Sequence, residues 1–386
     1  MPPALDGVKI LDLSMNLPGP YLTWLLAGMG AEVIKVENPV GGDYARFVSG
    51  KELGDLIFNS VNRNKKSLAL NLKDPKGKEL FKSLLAEHDV VVEGFRPGAM
   101  EKLGLDYESL RKIQPRLIMV SITGYGHDGA HRLRAGHDVN YLALSGVLAM
   151  TGAKNGEPAI PGVQVADLFG GSLMAMTGLL AALFCREKTG QGQFIDAAMF
   201  DGALSLSTMV SSLVTAGVQE PKPGRMLLNG AFPCYGLYKT QDGKWMSLGA
   251  LEPKFWANFC RAVGRGDLEP EQFGGPEVMA RLEELFARKT RDQWTELMRE
   301  HDCCCEPVLD LNEAMASELT NGRGMVNTLD DRRYLAHPVK MSASPALPDE
   351  PAPRLGQHSR EVLTRVGVKE AALEELAGRG VVGMAE

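Results

Sequence analysis

Three acidic or basic side chains stand at positions where they could move a proton. In "RAGHDVNYLALSGVLAMTG" His137 sits where a polar stretch turns apolar, with Asp138 beside it. A histidine there is a hydrogen-bonded loop residue, a helix cap or a proton carrier, since imidazole titrates near neutral pH. Asp167 opens the apolar run "DLFGGSLMAMTGLLAALFCREKTG". An aspartate at that place is a helix N-cap or a reactive acid. Gly170 and Gly171 behind it let another backbone or a ligand come close. Glu252, in "GALEPKFW", precedes a proline-started helix and reads as a capping acid or a third functional group. Asp138 orients a ring or makes a local turn.

A second group of residues could hold an anion. "VNRNKKSLALNLKDPKG" carries Arg63, Lys65, Lys66, Lys73 and Lys76 just before a helix start. Cations beside a helix N-terminus suit phosphates, and they equally suit a solvated face. "VVVEGFRPGAMEKLG" places Arg96 and Lys102 beyond a buried strand. Ligands bind at the carboxyl ends of strands in an open α/β sheet.

The elements that must position these residues alternate. "VKILDLS" (8–14) and "EVIKVE" (32–37) read as strands around the helix "LPGPYLTWLLAGMGA". Strand, helix, strand in so short a span is a βαβ unit with a parallel sheet. A helix over 74–89, a strand over 90–95, a short helix over 107–115 and a strand over 117–123 continue the pattern. A long apolar helix over 167–190 follows, and its apolarity requires burial. Past 220 the texture changes. "FPCYGLYKTQDGKWMSLGA" (232–250) reads as a hairpin turning at Asp242-Gly243, with helices near 253–263 and 276–300. "PALPDEPAPRLGQHS" is a proline-rich connection, and helices over 360–378 close the chain. The fold class is α/β: a Rossmann-like parallel-sheet large domain over 1–224, a smaller α+β domain over 225–330, and a segment over 331–386 returning to the first.

Composition removes several functions. The 386 residues are 44% hydrophobic and 23% charged, with a net charge of −6. That balance argues against a nucleic-acid or membrane-surface partner. No apolar run of about 18 residues is read as crossing a membrane. No leader pattern is read in "MPPALDGVKILDLS", so the expected location is cytoplasmic. The six cysteines include the run Cys303, Cys304, Cys305, which fits neither a disulfide framework nor a zinc site, so no metal is expected. The chain lacks G-x-G-x-x-G and the P-loop pattern, which weakens dinucleotide redox and phosphoryl transfer.

The segments "GVKILDLSMNLPGPY", "GAEVIKVENP", "NRNKKSLALNLK", "EGFRPGAMEKLG", "TGYGHDG", "AGHDVNY", "DLFGGS", "GQFIDAAMFDG", "GALEPKFW" and "CEPVL" resemble the family III CoA-transferases over nearly the whole chain. The combination "AGHD-x-NY" with "G-A-x-E-P-x-F" resembles the family's racemase branch. The resemblance implies that the aspartate at Asp167 forms the acyl intermediate in transferases. In the racemase branch it implies a catalytic set of His137, Asp167 and Glu252. CoA contacts are implied at Leu70, Asn71, Leu72 and Lys73, at Gly94, Phe95 and Arg96, at Lys102, and at Gly136, Asp138, Asn140 and Tyr141.

The expected reaction is inversion of the α-carbon of 2-methylacyl-CoA thioesters by proton transfer between His137 and Asp167, with Glu252 orienting the histidine. The alternative is transfer of CoA between carboxylic acids through Asp167. Backbone N–H groups just after Asp167 are expected to meet the enolate oxygen. No cofactor beyond the CoA moiety of the substrate is expected. The resemblance also implies an interlocked homodimer. Two departures from the family pattern stand out. Asn38 replaces a frequent arginine, and "NGAFPCYG" replaces "DGGAPFY" in a segment expected near the acyl group.

Overall fold

The computed structural model describes all residues except Ser49, Asn155 and Glu386. The chain divides into two compact units. The first comprises Met1–Ser145, Val163–Leu206 and Gly322–Glu386, and the second Gly146–Gly162 and Ser207–Asn321.

The first unit is built on a sheet of six parallel strands: β1 (Lys9–Asp12), β2 (Glu32–Glu37), β3 (Lys66–Leu70), β4 (Val90–Glu93), β5 (Ile118–Thr123) and β6 (Phe194–Ala198). Their order across the sheet is β3-β2-β1-β4-β5-β6. The central strands are apolar on both faces, as a parallel sheet covered by helices requires. Val90, Val91 and Val92 in β4 and Ile118 and Val120 in β5 have no exposed surface. On one face Leu11, Leu68, Val91 and Met119 pack with Phe81, Leu84 and Leu85 of the helix Pro75–Leu85 and with Leu363 and Leu373 near the C-terminus.

Most predicted elements of this unit are present, and three readings change. β3 lies inside the basic segment, where three cations at its start hide the buried run Ser67–Leu70. The final helices do not close the chain. After them Val382–Gly383 adds an antiparallel strand to the edge of β3. The long apolar helix starts as a π-helix over Ala166–Leu173 and continues as an α-helix over Met174–Thr189. Ala166–Thr189 is, among the described residues, long and apolar enough to cross a membrane by length and composition, contrary to the sequence reading, and only 33% of its most apolar stretch is buried. Ala175, Leu179 and Ala182 are buried, while Phe184 is 65% exposed.

The second unit is α+β. Strands β7 (Tyr235–Lys239), β8 (Trp245–Gly249) and β9 (Cys305–Pro307) form an antiparallel sheet. The hairpin turn carries Gly243 at φ 77°, a conformation that favours glycine. Tyr238, Phe286 and Phe259 stack in its core, with centroids 4.9 and 5.8 Å apart. The expected helix over 276–300 is two helices, Pro276–Phe286 and Arg291–Met298, because Thr290 caps the second with a reciprocal bond to Gln293. This unit begins at Ser207 and also takes in Gly146–Gly162, whereas the sequence reading started it at 225 and ended it at 330.

Candidate active site

The strand order reverses between β1 and β4, so the two chains leaving these strands diverge and open a crevice at their carboxyl ends. Two cavities of the first unit lie there. One, of about 480 Å³, is lined by residues following β1, β4 and β5 and by His137, Asn140, Tyr141 and Asp167. The other, of about 260 Å³, is lined by the ends of β1, β2 and β3 and by Phe95. Ser14, Met15 and Phe95 line both. The two cavities therefore adjoin at these three residues.

Asp167 does not cap its helix. Val165 holds the cap position and Asp167 lies in the first turn, with its carboxyl group on the cavity wall. Its backbone N–H donates to Asp138 Oδ1 at 3.0 Å. Burial, with the Asp138 charge adding to it, pushes the Asp167 carboxyl up to about 7. The helix can sit this deep because Gly170 meets another backbone: a Cβ there would lie 2.5 Å from the Met199 carbonyl oxygen. Gly170 therefore serves helix packing and not a ligand. Of the N–H groups expected to face an enolate, that of Leu168 goes to the Gln164 carbonyl at 3.1 Å, and the N–H of Asp167 itself goes to Asp138.

His137 occupies the N-cap position of the helix Asp138–Leu144, and its side chain is exposed at the cavity. Its backbone N–H donates to Asn140 Oδ1 at 3.0 Å. The Tyr141 hydroxyl donates to the Gly136 carbonyl at 2.7 Å, which pins the turn entering His137. Tyr125 packs edge-on against Tyr141, with centroids 5.2 Å apart. Gly136 is required there, because a Cβ would come within 2.8 Å of both rings. Burial first, and then the Asp167 charge, raise the Tyr141 hydroxyl well above its ordinary range, so it remains a neutral donor.

The residues implied as CoA contacts separate into three sets. Leu70, Asn71, Leu72 and Lys73 line the smaller cavity, together with Asn38. Gly94, Arg96, Gly136, Asn140 and Tyr141 line the larger one, and Phe95 lines both. Lys102 and Asp138 line neither. Lys102 is exposed on the helix Ala99–Leu103, and Asp138 is buried as the support of Asp167. Glu252 stands at the N-cap of Pro253–Ala262 in the second unit, exposed and with no side-chain capping bond, so the capping reading of it does not hold.

Four of the five cations of the basic segment, Arg63, Lys65, Lys66 and Lys76, meet acids of the protein itself, and the fifth, Lys73, lines the smaller cavity. Arg63 pairs with Asp349 at 2.6 Å, Lys66 with Glu361 at 2.9 Å and Lys76 with Glu79 at 2.7 Å. Lys65 is buried and reaches Asp12 Oδ2 at 3.2 Å, the Pro20 carbonyl at 2.9 Å and Asn62 Oδ1 at 2.8 Å. Beside it the fully buried Lys35 holds the Ser14 carbonyl and Asp43 Oδ2, each at 2.8 Å. Asp43 Oδ1 in turn accepts from Asn16 N–H at 2.9 Å. This buried network fixes the Ser14–Asn16 turn, part of which lines both cavities. Burial raises Asp12, but Lys35 and Lys65 outweigh it and hold the carboxyl at about 2.

Sequence reading missed two parts of this site and one buried acid next to it in the chain. Ser14, Met15 and Asn16 line the larger cavity, because β1 ends at Asp12 and frees them. Arg132 and Arg134 line it as well; the signal was two arginines just ahead of His137 in "HRLRAGHD". Glu93 is 2% exposed at the end of β4, and burial pushes it up to about 7. It accepts the Phe95 N–H at 2.7 Å, and Ser121 beside it bonds to His127 Nε2 at 2.6 Å.

A model of the family described as CoA-transferase family III matches residues 5–359. The chain belongs to CoA-transferase family III. The family is one of enzymes. This family member is 35% identical to alpha-methylacyl-CoA racemase of Homo sapiens over 97% of its own length and 96% of that enzyme. It is 34% identical to succinyl-CoA:glutarate CoA-transferase of Mus musculus, over 98% of its own length and 90% of that enzyme. Among solved structures, a CAIB/BAIF family protein from Brucella suis superposes with a TM-score of 0.81 at 31% identity, covering 95% of this chain and 100% of that one.

Proposed function

We propose that the chain is an acyl-CoA racemase inverting the α-carbon of 2-methylacyl-CoA thioesters. The observation that carries this is the placing of His137 and Asp167 on one cavity, with the aspartate titrating near 7. One base returns a proton to the face it left, so inversion needs two groups on opposite faces. Neutral His137 takes the α-proton and leaves an enolate. Protonated Asp167 gives a proton to the other face, and solvent exchange resets both groups. The opposite enantiomer reverses the roles. A carboxyl held at about 7 is present in both forms near neutral pH, as this exchange requires.

The thioester itself acidifies the α-proton, so the reaction uses no cofactor beyond the CoA moiety of its substrate. CoA occupies the smaller cavity, with Leu70–Lys73 about its nucleotide, and supplies binding energy far from the reacting carbon. The helix Pro18–Gly28 begins at the larger cavity, and its positive end favours the enolate oxygen. The similarity to a named racemase at 35% identity supports the reading.

Incubation of a 2-methylacyl-CoA in deuterium oxide tests it. A racemase incorporates deuterium at the α-carbon with no second acid present. A CoA-transferase is the second reading, favoured by the place of Asp167 on the cavity and by relatives named as transferases. That enzyme requires an acceptor acid and yields an acyl group on Asp167 that hydroxylamine traps. We also propose a homodimer, supported by apolar side chains left open on the first unit, Phe184 at 65% and Leu204 at 47% exposure. Light scattering on the purified protein measures its mass.

A further inference from the structure

We propose that Arg132 and Arg134 form a subsite for a carboxylate on the acyl group, so that the favoured substrates are CoA monothioesters of 2-methyl-branched dicarboxylic acids. The proposal rests on the racemase reading and names its substrate class. Its ground is a charge imbalance. The chain carries a net charge of −6, and many of its arginines elsewhere meet carboxylates, Arg46 with Glu37, Arg186 with Asp89 and Arg291 with Glu313 among them. Arg96, Arg132 and Arg134 all line the larger cavity, and among the described residues none of the three has an acidic partner. Among the described residues the only acid lining that cavity is Asp167, which burial keeps largely protonated below neutral pH. Three guanidinium groups gathered in one cavity without counter-charge call for an anionic ligand.

CoA already brings anions, so position decides between them. The nucleotide cavity joins the larger one at Ser14, Met15 and Phe95, and Arg96 follows Phe95 directly. Arg96 therefore stands on the side where the diphosphate enters. Arg132 and Arg134 line the larger cavity alone. Arg134 precedes His137 by a stretch that spans roughly 10 Å at full extension. The α-carbon must lie against His137, and the pantetheine arm carries the diphosphate many bonds away from it. The anion within reach of Arg132 and Arg134 is thus one on the acyl side of the thioester. A carboxylate held by a guanidinium fork is fixed in direction as well as in place. Such a grip presents one face of the α-carbon to His137 and the other to Asp167.

Two 2-methylacyl-CoA thioesters of equal chain length test this, one ending in a carboxylate and one in a methyl group. The wild-type protein is expected to favour the carboxylate form in kcat/KM for α-proton exchange by at least about tenfold. Arg132→Ala and Arg134→Ala are expected to bring that ratio towards one, and Arg134→Lys to restore part of it. Both arginines are exposed, so these variants keep the fold. Equal rates for the two thioesters in the wild type overturn the subsite. So does an equal fall for both in the variants, which would assign the arginines to the CoA diphosphate. Dissociation constants for the same pair give the same decision where no exchange occurs. Exchange absent with both thioesters, alongside carboxylate-selective binding lost in Arg134→Ala, would reject the racemase reading and keep the subsite.

Discussion

The backbone N–H of Asp167 donates to the carboxylate of Asp138 at 3.0 Å, so one acid is seated on another. The contact sets position and charge together. It holds the first turn of the π-helix in place, and it adds to the burial that raises the Asp167 carboxyl to about 7.

Replacing Asp138 by Asn keeps an acceptor for that N–H and removes the charge. The Asp167 carboxyl is expected to titrate lower, though still above its ordinary value because burial is the larger cause. The pH profile of α-proton exchange reads this out as a shift of the Asp167-controlled limb to lower pH. An unmoved limb would show that Asp138 acts only as a prop.

His137→Ala is expected to lower α-proton exchange by about 10²- to 10⁴-fold, the usual worth of a positioned acid-base group. The side chain is exposed, so thermal unfolding should hardly change. Exchange at the wild-type rate would end the two-base mechanism.

Glu93 offers a test of stability against pH. Its carboxyl is raised from 4.5 to about 7 by burial, so the folded state holds a proton that the unfolded chain releases. Stability therefore falls as pH rises from about 4.5 to about 7 and stays lowered above that. Glu93→Gln removes the cost. It should raise the melting temperature at pH 8 relative to wild type and leave it similar at pH 4, with at most about 3 kcal/mol between the two conditions. A variant less stable than wild type at pH 8 would contradict this.

Two basic residues of one segment, Lys65 and Lys73, should behave in opposite ways, the first tested through its acidic partner Asp12. Asp12→Ala leaves Lys65 without its acid in the interior, while Lys35 keeps Asp43, and is expected to cost about 3–5 kcal/mol in chemical denaturation. Lys73→Ala should leave stability unchanged, since Lys73 is exposed on the smaller cavity, and raise KM for the acyl-CoA by about tenfold. Loss of stability in Lys73→Ala would remove it from the binding site.

Glu252 is exposed and carries no capping bond, so Glu252→Gln should fold as the wild type does. On the proposed reading kcat falls several-fold while KM holds. Unchanged kcat would strike it from the catalytic set.

Much of the fold was legible because strands buried on both faces write themselves as apolar runs. β1, β2, β4 and β5 were read close to their observed ends for that reason. β3 was not, since its flanking lysines are neutralised by Glu361 and Asp12, acids far away in the sequence. Local pattern also could not show that "DLFGGS" winds as a π-helix. Nor could it show that Gly170 lies against Met199, another contact between distant segments.

By itself the sequence determined the parallel α/β order, the glycine-marked turns and the candidacy of His137 and Asp167, all of which depend on neighbours along the chain. Only the tertiary structure decided which charges are free. Arg63 and Lys65 looked like ligands for phosphate and are buried in ion pairs, while Arg132 and Arg134 drew no notice and stand unpaired on the cavity. The physical reason is that burial and pairing belong to the folded surroundings. A side chain's charge is written in its type, but whether that charge is already answered depends on which distant residue the fold brings beside it.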